Sequence, residues 1–278
     1  MTDTTKTWFI TGASAGLGLE MTKILLKRGD RVAATARRTA PLNTLRSEYG
    51  SQLWIAALDV TNTAAIRATL QRAFIELGPV DVVASNAGYG LFAASEEVSD
   101  AQIHHQIDVN LIGSIQLIRA ALPHLRAQGG GRILQVSSEG GQLAYPNFGL
   151  YHATKWGIEG FVEATAQEVA PFGIHFTIAE PGPTRTEFSA AKITAPAMPE
   201  YEHTPSGDIR RALESNTFPI TGDAHKTAQA MIDALDQPTP PQRIALGSGT
   251  YTRLHAALSG RLATLEAQKT IALSVEAD

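Results

Sequence analysis

The residues best placed to do chemistry are Tyr151 and Lys155, four apart in Tyr151-His152-Ala153-Thr154-Lys155. On a helix, residues at that spacing share a face, with Cβ atoms about 5–6 Å apart. An unperturbed tyrosine has a pKa near 10 and is a poor acid–base group at neutral pH. An ammonium within about 4–6 Å favours the phenolate and lowers that pKa. The pair describes a phenol tuned for proton transfer. The spacing arises often by chance, so its meaning comes from what precedes it. Ser137-Ser138 closes an apolar run, and the interval to Tyr151 holds Gly140 and Gly141. A hydroxyl at a strand's C-terminal end lies where ligands bind in open α/β sheets.

A second constellation lies near the start of the chain. The run Thr7–Thr11 leads into Gly12-Ala13-Ser14-Ala15-Gly16-Leu17-Gly18 and then into a helical pattern. Glycines at such a turn let the backbone approach a ligand, and a helix N-terminus offers free N–H groups to an anion. The spacing is G-x-x-x-G-x-G, which differs from the general dinucleotide fingerprint. On these residues alone a pyrophosphate site and a plain tight turn both stand. The same residues spell G-x-S-x-G around Ser14, the nucleophile-elbow pattern of serine hydrolases. That pattern needs an earlier strand and loop for its oxyanion hole, and the eleven residues before Gly12 hold one strand only.

The next strand closes as Ala33-Ala34-Thr35-Ala36-Arg37-Arg38. A carboxylate about 20 residues after the glycines would bond a ribose 2′-hydroxyl, whereas arginine accommodates a 2′-phosphate. The missing acid and the two guanidiniums favour NADP over NAD, with a solvated arginine pair as the alternative.

These residues need a framework. Strand patterns fall at Thr7–Thr11, Arg31–Ala36, Leu53–Leu58, Val80–Ser85, Gly131–Ser137, Ile174–Ala179 and Arg243–Leu246. Helical patterns fall between them at Gly16–Arg28, Ala64–Leu77, Asp100–Gln128 and Leu150–Phe172, with Ile158, Phe161, Val162, Thr165 and Val169 lining one face. The alternation predicts a single α/β domain over 1–278, a doubly wound Rossmann arrangement with about seven parallel strands and helices on both faces. Residues 187–222 show little periodicity and read as a substrate lid. Tyr251–Gln268 reads as a docked C-terminal helix.

Of 278 residues, 44% are hydrophobic and 18% charged, and 23 basic residues face 27 acidic ones for a net charge of −4. That balance gives no basic footprint for nucleic acid. There is no cysteine, which excludes disulfides, thiolate metal sites and cysteine nucleophiles. The first residues lack a signal-peptide pattern, and no apolar run reaches the ~20 residues that span a bilayer. The expectation is a cytoplasmic protein without membrane partners.

Together the motifs resemble the classical short-chain dehydrogenase/reductase family over roughly residues 6–186. They are Thr11–Gly18, Asp59-Val60, Asn86-Ala87-Gly88, Asn110, Ser138, Tyr151-x-x-x-Lys155 and Pro181-Gly182-Pro183-Thr184. Within the family, Glu180–Thr186 and the C-terminal extension resemble the 17β-hydroxysteroid-dehydrogenase-like branch. The resemblance implies that Tyr151 protonates a carbonyl oxygen in reduction and takes a proton in oxidation. Lys155 would lower the Tyr151 pKa and hold the nicotinamide ribose, Ser138 would bond the substrate oxygen, and Asn110 would position a water. Gly12, Ser14, Gly16, Leu17 and Gly18 would cradle the dinucleotide. Arg37 with Arg38 would select NADP, and Asp59 and Val60 would meet the adenine. Asn86, Ala87, Gly88, Pro181, Gly182, Thr184 and Thr186 would follow the cofactor to its nicotinamide. Turn-capping is an equally good reading of Asp59 and Asn86.

The implied function is NADP(H)-dependent interconversion of a ketone or aldehyde with its alcohol. Two alternatives share the fold: a non-catalytic NADP sensor, and a lyase or epimerase using the same Tyr and Lys. Leu143, Tyr145, Phe148 and Phe188 read equally as the lining of an apolar pocket or as ordinary core, and Phe188, Met198, Tyr201 and Phe218 of the lid suggest a small apolar substrate. The resemblance also implies a homodimer or homotetramer built on the Asp100–Gln128 and Leu150–Phe172 helices. His104, His105, His124 and His175 lack metal-ligand spacing, His152 points away from Tyr151's helix face, and Glu96-Glu97 reads as a helix approach.

Overall fold

A computed structural model describes residues 5–187, 193–215 and 217–276. Seven parallel strands form one sheet: β1 Thr7–Thr11, β2 Arg31–Ala36, β3 Leu53–Ala57, β4 Val82–Ser85, β5 Gly131–Val136, β6 Ile174–Pro181 and β7 Arg243–Leu246. Their order is β7-β6-β5-β4-β1-β2-β3. Residues of β1 are buried on both faces, as expected of an interior parallel strand. Side-chain alternation then sorts them. Trp8 and Ile10 enter one core layer with Met21, Leu25, Met231 and Leu235, while Phe9 enters the other with Ile66, Leu70, Leu117 and Ile158. The chain winds outward from β1 to β3 and returns to β4 on the other side of β1. That reversal is the topological switch point, where the ends of β1 and β4 leave a crevice.

The first layer is covered by α1 Gly16–Arg28 and α2 Asn43–Tyr49, the second by α3 Thr63–Leu77. Asn62 caps α3 by accepting from the Ala65 N–H. The expected single helix over 100–128 is three pieces: α4 Asp100–Ile107, a π-helical turn Asp108–Ile112, and α5 Gly113–Ala127. The buried positions Gln106, Asn110, Gly113 and Leu117 keep spacings of three and four across the π-turn, so periodicity alone conceals it. Helix α6 spans Gly149–Val169 and tightens to a 3₁₀ turn at Ala170–Phe172, where Pro171 removes an N–H donor.

Residues 193–215 and 217–222 carry more secondary structure than their sequence suggests. They contain α7 Pro205–Glu214, capped by Thr204, and α8 Ala224–Asp236 follows it to pack against α1. Ile193–Thr194 pairs with Leu91–Phe92, and Gly222–Asp223 pairs with Thr184–Arg185. Phe188 lies outside the described residues. The C-terminal helix α9 spans Ser248–Ala267, with α10 Lys269–Leu273 beyond it. Only Thr250 and Leu254 of α9 are buried; Leu258, Leu262 and Leu265 are exposed, so the helix docks mainly by its first turns, with Arg261 further on lying over the Trp156 ring.

Candidate active site

A parallel sheet brings the C-terminal ends of its strands to one edge, and that edge collects the expected residues. Gly12–Gly18 follow β1, Arg37 and Arg38 follow β2, and Asp59 and Val60 follow β3. Asn86–Gly88 follow β4, Ser138 follows β5, and Pro181 ends β6 with Gly182 next. The glycine turn is built for close approach. Gly12 has φ +67°, and a Cβ there would stand 2.9 Å from the Ala87 Cα. A Cβ on Gly18 would stand 2.4 Å from the Gly12 oxygen and 2.5 Å from Asn86 Nδ2. Asn86 Nδ2 donates to the Thr11 and Gly12 carbonyls at 2.9 and 3.2 Å, so it braces the turn from β4. The Gly16 N–H donates to a Glu187 carboxylate oxygen at 3.0 Å. The chain itself thus places an anion at the N-terminus of α1, as a helix dipole favours.

At the other end of the edge, Arg37 and Arg38 are exposed and form no ion pair among the described residues. The Thr61 N–H and hydroxyl both bond Asp59, at 2.9 and 2.8 Å. The Thr61 backbone bond holds the Asp59 carboxyl below its ordinary range, with Arg37 and His105 adding charge. Asp59 is a turn cap and also faces Arg37.

The catalytic candidates converge on α6. Tyr151 and Lys155 occupy successive turns and are buried, at 9% and 7% exposure. Lys155 Nζ lies 5.6 Å from the Tyr151 ring centre and donates to the Val136 carbonyl at 3.0 Å. Burial pushes Tyr151 up to about 12; a Ser138 hydrogen bond opposes this, and the charges of Glu139 and Glu159 add to it. Burial also brings Lys155 down to about 8, against the pull of Glu159. Burial therefore outweighs everything that lowers the phenol here. The ammonium is engaged at Val136, and desolvation outweighs the pairing that sequence spacing predicts.

Ser138 is held closely. Its Oγ accepts from the Gly140 N–H at 3.1 Å and donates to the Pro181 carbonyl at 3.5 Å. Asn110 sits in the π-turn, 1% exposed. Its Oδ1 accepts from the Tyr89 N–H and its Nδ2 donates to the Tyr89 carbonyl, at 3.0 and 2.9 Å. These bonds fix the chain just after Gly88 against α6's neighbour. Thr184 Oγ1 donates to the Gly182 carbonyl at 2.9 Å, and Thr186 lies against Gly16.

The sequence reading missed a set of buried charges behind Ser138. Glu139, Glu159 and Glu180 are each 2–3% exposed. Arg243 on β7 pairs with Glu159, Glu163 and Glu180, and Arg253 on α9 pairs with Glu139. Their partners lie tens of residues away in sequence, so no local spacing signals them. Glu96 and Glu97 also tie residues 198–210 to the helix approach in which they stand. Glu97 takes the Arg210 guanidinium and the Met198 N–H, and Glu96 accepts from the Tyr201 hydroxyl. His152 is buried among Tyr145, Phe148 and Tyr151. Among the described residues there is no cluster of His, Asp or Glu suited to a metal, and no helix long and apolar enough to cross a membrane.

A glycine turn at the switch point of a doubly wound parallel sheet defines a Rossmann-type protein with a phenol–lysine site at the same edge. Residues 6–196 match the family model for short chain dehydrogenases, and the chain belongs to that family. It is 36% identical over 244 residues to the oxidoreductase BOA17 of Botryotinia fuckeliana, covering 87% of this chain and 89% of that one. Its structure resembles a short-chain dehydrogenase from Streptomyces avermitilis with TM-score 0.91 and 33% identity, over 99% and 100% of the two chains. A serine dehydrogenase crystallised in its closed form with NADP+ aligns with TM-score 0.72 and 28% identity, over 86% and 92%.

Proposed function

We propose that this protein is an NADP(H)-dependent oxidoreductase that interconverts a ketone or aldehyde with its alcohol. The observation that carries the reading is the joint placement of Ser138, Tyr151 and Lys155. The serine hydroxyl bonds the phenol, the ammonium lies one turn along, and both share the sheet edge with the glycine turn. The residues fit a dinucleotide. The turn leaves no room for side chains at Gly12 and Gly18, and the Gly16 N–H already holds a carboxylate. Arg37 and Arg38 suit a 2′-phosphate, in keeping with the NADP+ of the serine dehydrogenase. NADPH held there would supply a hydride. Asp59, Val60, Asn86, Ala87 and Gly88 would line its adenosine half. Pro181, Gly182, Thr184 and Thr186 would line its nicotinamide half, and Lys155 would leave Val136 for the ribose.

The chain's own residues then manage the proton and the charge. Ser138 donates to the substrate oxygen, where negative charge grows as the carbonyl is reduced. Tyr151 delivers the proton. A phenol pushed up to about 12 keeps its proton throughout the neutral range but gives it up reluctantly, and the Lys155 ammonium, once released from Val136, would bring it down towards the working pH. Phe148, edge-on to Phe92 at 4.7 Å and stacked with Phe218 at 6.4 Å between ring centres, supports an apolar substrate covered by the lid. Exposed Trp156 on α6 and Ile112 beside α5 support assembly into a homodimer or homotetramer through these helices. Glu180–Thr186 and the long α9 support the 17β-hydroxysteroid-dehydrogenase-like branch.

The test is NADPH oxidation over a panel of aliphatic and aromatic carbonyls. Tyr151→Phe is expected to lower kcat by about 10²–10⁴, the usual worth of a general acid. Turnover by Tyr151→Phe at the wild-type rate overturns the mechanism.

A further inference from the structure

Glu139 follows Ser138 directly and is 3% exposed. A buried carboxylate is costly unless it is paired and fully hydrogen-bonded, and this one has both oxygens occupied. Its Oε1 accepts from the Tyr145 hydroxyl at 2.8 Å, and its Oε2 accepts from Arg253 Nη2 and Nε at 2.7 and 3.2 Å. Arg253 comes from the second turn of α9, 114 residues along the chain. The pair also presses on the segment that would line the nicotinamide. A Cβ on Gly182 would stand 2.1 Å from Thr250 Oγ1, 3.2 Å from Glu139 Oε2 and 3.3 Å from Arg253 Nη2. The first turns of α9 therefore clamp two strand ends at once, the one that carries Ser138 and the one that carries Pro181 and Gly182. Ser138 Oγ spans the same gap with its bond to the Pro181 carbonyl.

We infer that Arg253 is a positioning residue for catalysis, acting through Glu139 to hold Ser138 against Tyr151 and to offset a negative charge beside the phenol. The inference rests on the function proposed above. Several charged or titratable groups surround Tyr151. Lys155, Glu159 and His152 lie on its own helix, and Glu139 and Tyr145 lie in the preceding loop. Behind them stand Glu180 on β6, Arg243 on β7 and Arg253 on α9. Arg243 serves Glu159 and Glu180, which leaves Arg253 as the guanidinium on Glu139. Without Arg253, a buried carboxylate adjoining the catalytic serine has only a phenol to bond it. The serine's loop then loses its register, and the field at Tyr151 becomes more negative.

The experiment compares Arg253→Met, Arg253→Lys, Glu139→Gln and the Arg253→Met/Glu139→Gln double variant with wild type and Tyr151→Phe. It measures kcat and its pH profile on whichever panel carbonyl the wild type reduces, NADPH affinity by fluorescence, and Tm. Arg253→Met is expected to lower kcat by about tenfold to hundredfold, the scale of a small misplacement of a reacting group. NADPH affinity should stay within about twofold, well short of the loss from a missing charged contact. The limb of the profile that reports the phenol should move to higher pH in Arg253→Met and to lower pH in Glu139→Gln. Arg253→Lys should recover part of kcat, and the double variant should be no worse than Arg253→Met alone, as for residues acting as a unit. Wild-type kcat and an unmoved pH limb in Arg253→Met, with Tyr151→Phe inactive, overturn the inference. So does a loss of Tm with normal kcat in the folded protein. Turnover by Tyr151→Phe, or none by wild type on any carbonyl, overturns the functional reading and this inference with it.

Discussion

At the scale of single residues, burial and pairing compete at the catalytic pair. Lys155 has a folded-state pKa brought down to about 8 from 10.5. Between those values the unfolded chain binds the extra proton, so stability rises with pH through that window. Its burial is most destabilising below pH 8 and is relieved towards 10.5, a difference of about 3 kcal/mol at most. Lys155→Met is therefore expected to melt higher than wild type at pH 7, with the gap closing as pH approaches 10. Tyr151 acts in the opposite sense only above pH 10, where the unfolded phenol ionises first. A gap constant from pH 7 to 10 in thermal melts would show that Lys155 is not strained by burial. Arg37 belongs to the same scale. Arg37→Asp exchanges a guanidinium for a group that bonds a ribose hydroxyl, and the ratio of NADPH to NADH affinity should fall by about tenfold to a hundredfold. Fluorescence titration with both nucleotides checks this.

At the scale of elements, the π-turn at Asp108–Ile112 does what a regular helix would not. It turns Asn110 inward, where one side chain satisfies both the N–H and the carbonyl of Tyr89. That ties the end of β4, and hence Gly88, to the helix layer that carries Tyr151. Asn110→Ala leaves the partly buried Tyr89 peptide N–H without its partner and should cost about 1–3 kcal/mol. In a chain of this size each kcal/mol lowers Tm by about 2–4 °C. A calorimetric Tm equal to wild type would show that Asn110 is not structural. The turn was invisible in the sequence because the buried stripe runs through it unbroken, whereas α1 and α3 were legible because theirs matches one regular period. Helix α7 was missed for another reason. Exposed along much of its length, it is held by Glu97–Arg210 and by the Asn147 bond to the Ser206 carbonyl, contacts that no periodicity encodes.

At the scale of the molecule, the C-terminal helix is divided in its role. Its first turns bury Thr250 and Leu254 and deliver Arg253, while beyond Leu258 every residue described is exposed and Arg261 alone is seen to reach back, over the Trp156 ring at 4.7 Å from its centre. A chain ending at Gln268 should melt within about 0.5 kcal/mol of the full length, because α10 is wholly exposed. One ending at Gly247 leaves Glu139 as an unpaired buried charge and should lose about 3–5 kcal/mol. Urea denaturation of the two truncations separates these outcomes, and equal midpoints would sink the argument.

Sequence alone determined the sheet and the parts of the site that lie at strand ends. Parallel strands leave continuous apolar runs, and a glycine turn, a Ser and a Tyr–Lys pair each follow their strand within a short stretch of chain. Tertiary structure alone decided the state of those parts. Whether Lys155 faces the phenol or Val136, which guanidinium neutralises Glu139, and how Tyr89 reaches Asn110 all depend on groups far apart in sequence. Desolvation and long-range pairing have no local period, and only the folded chain sets them.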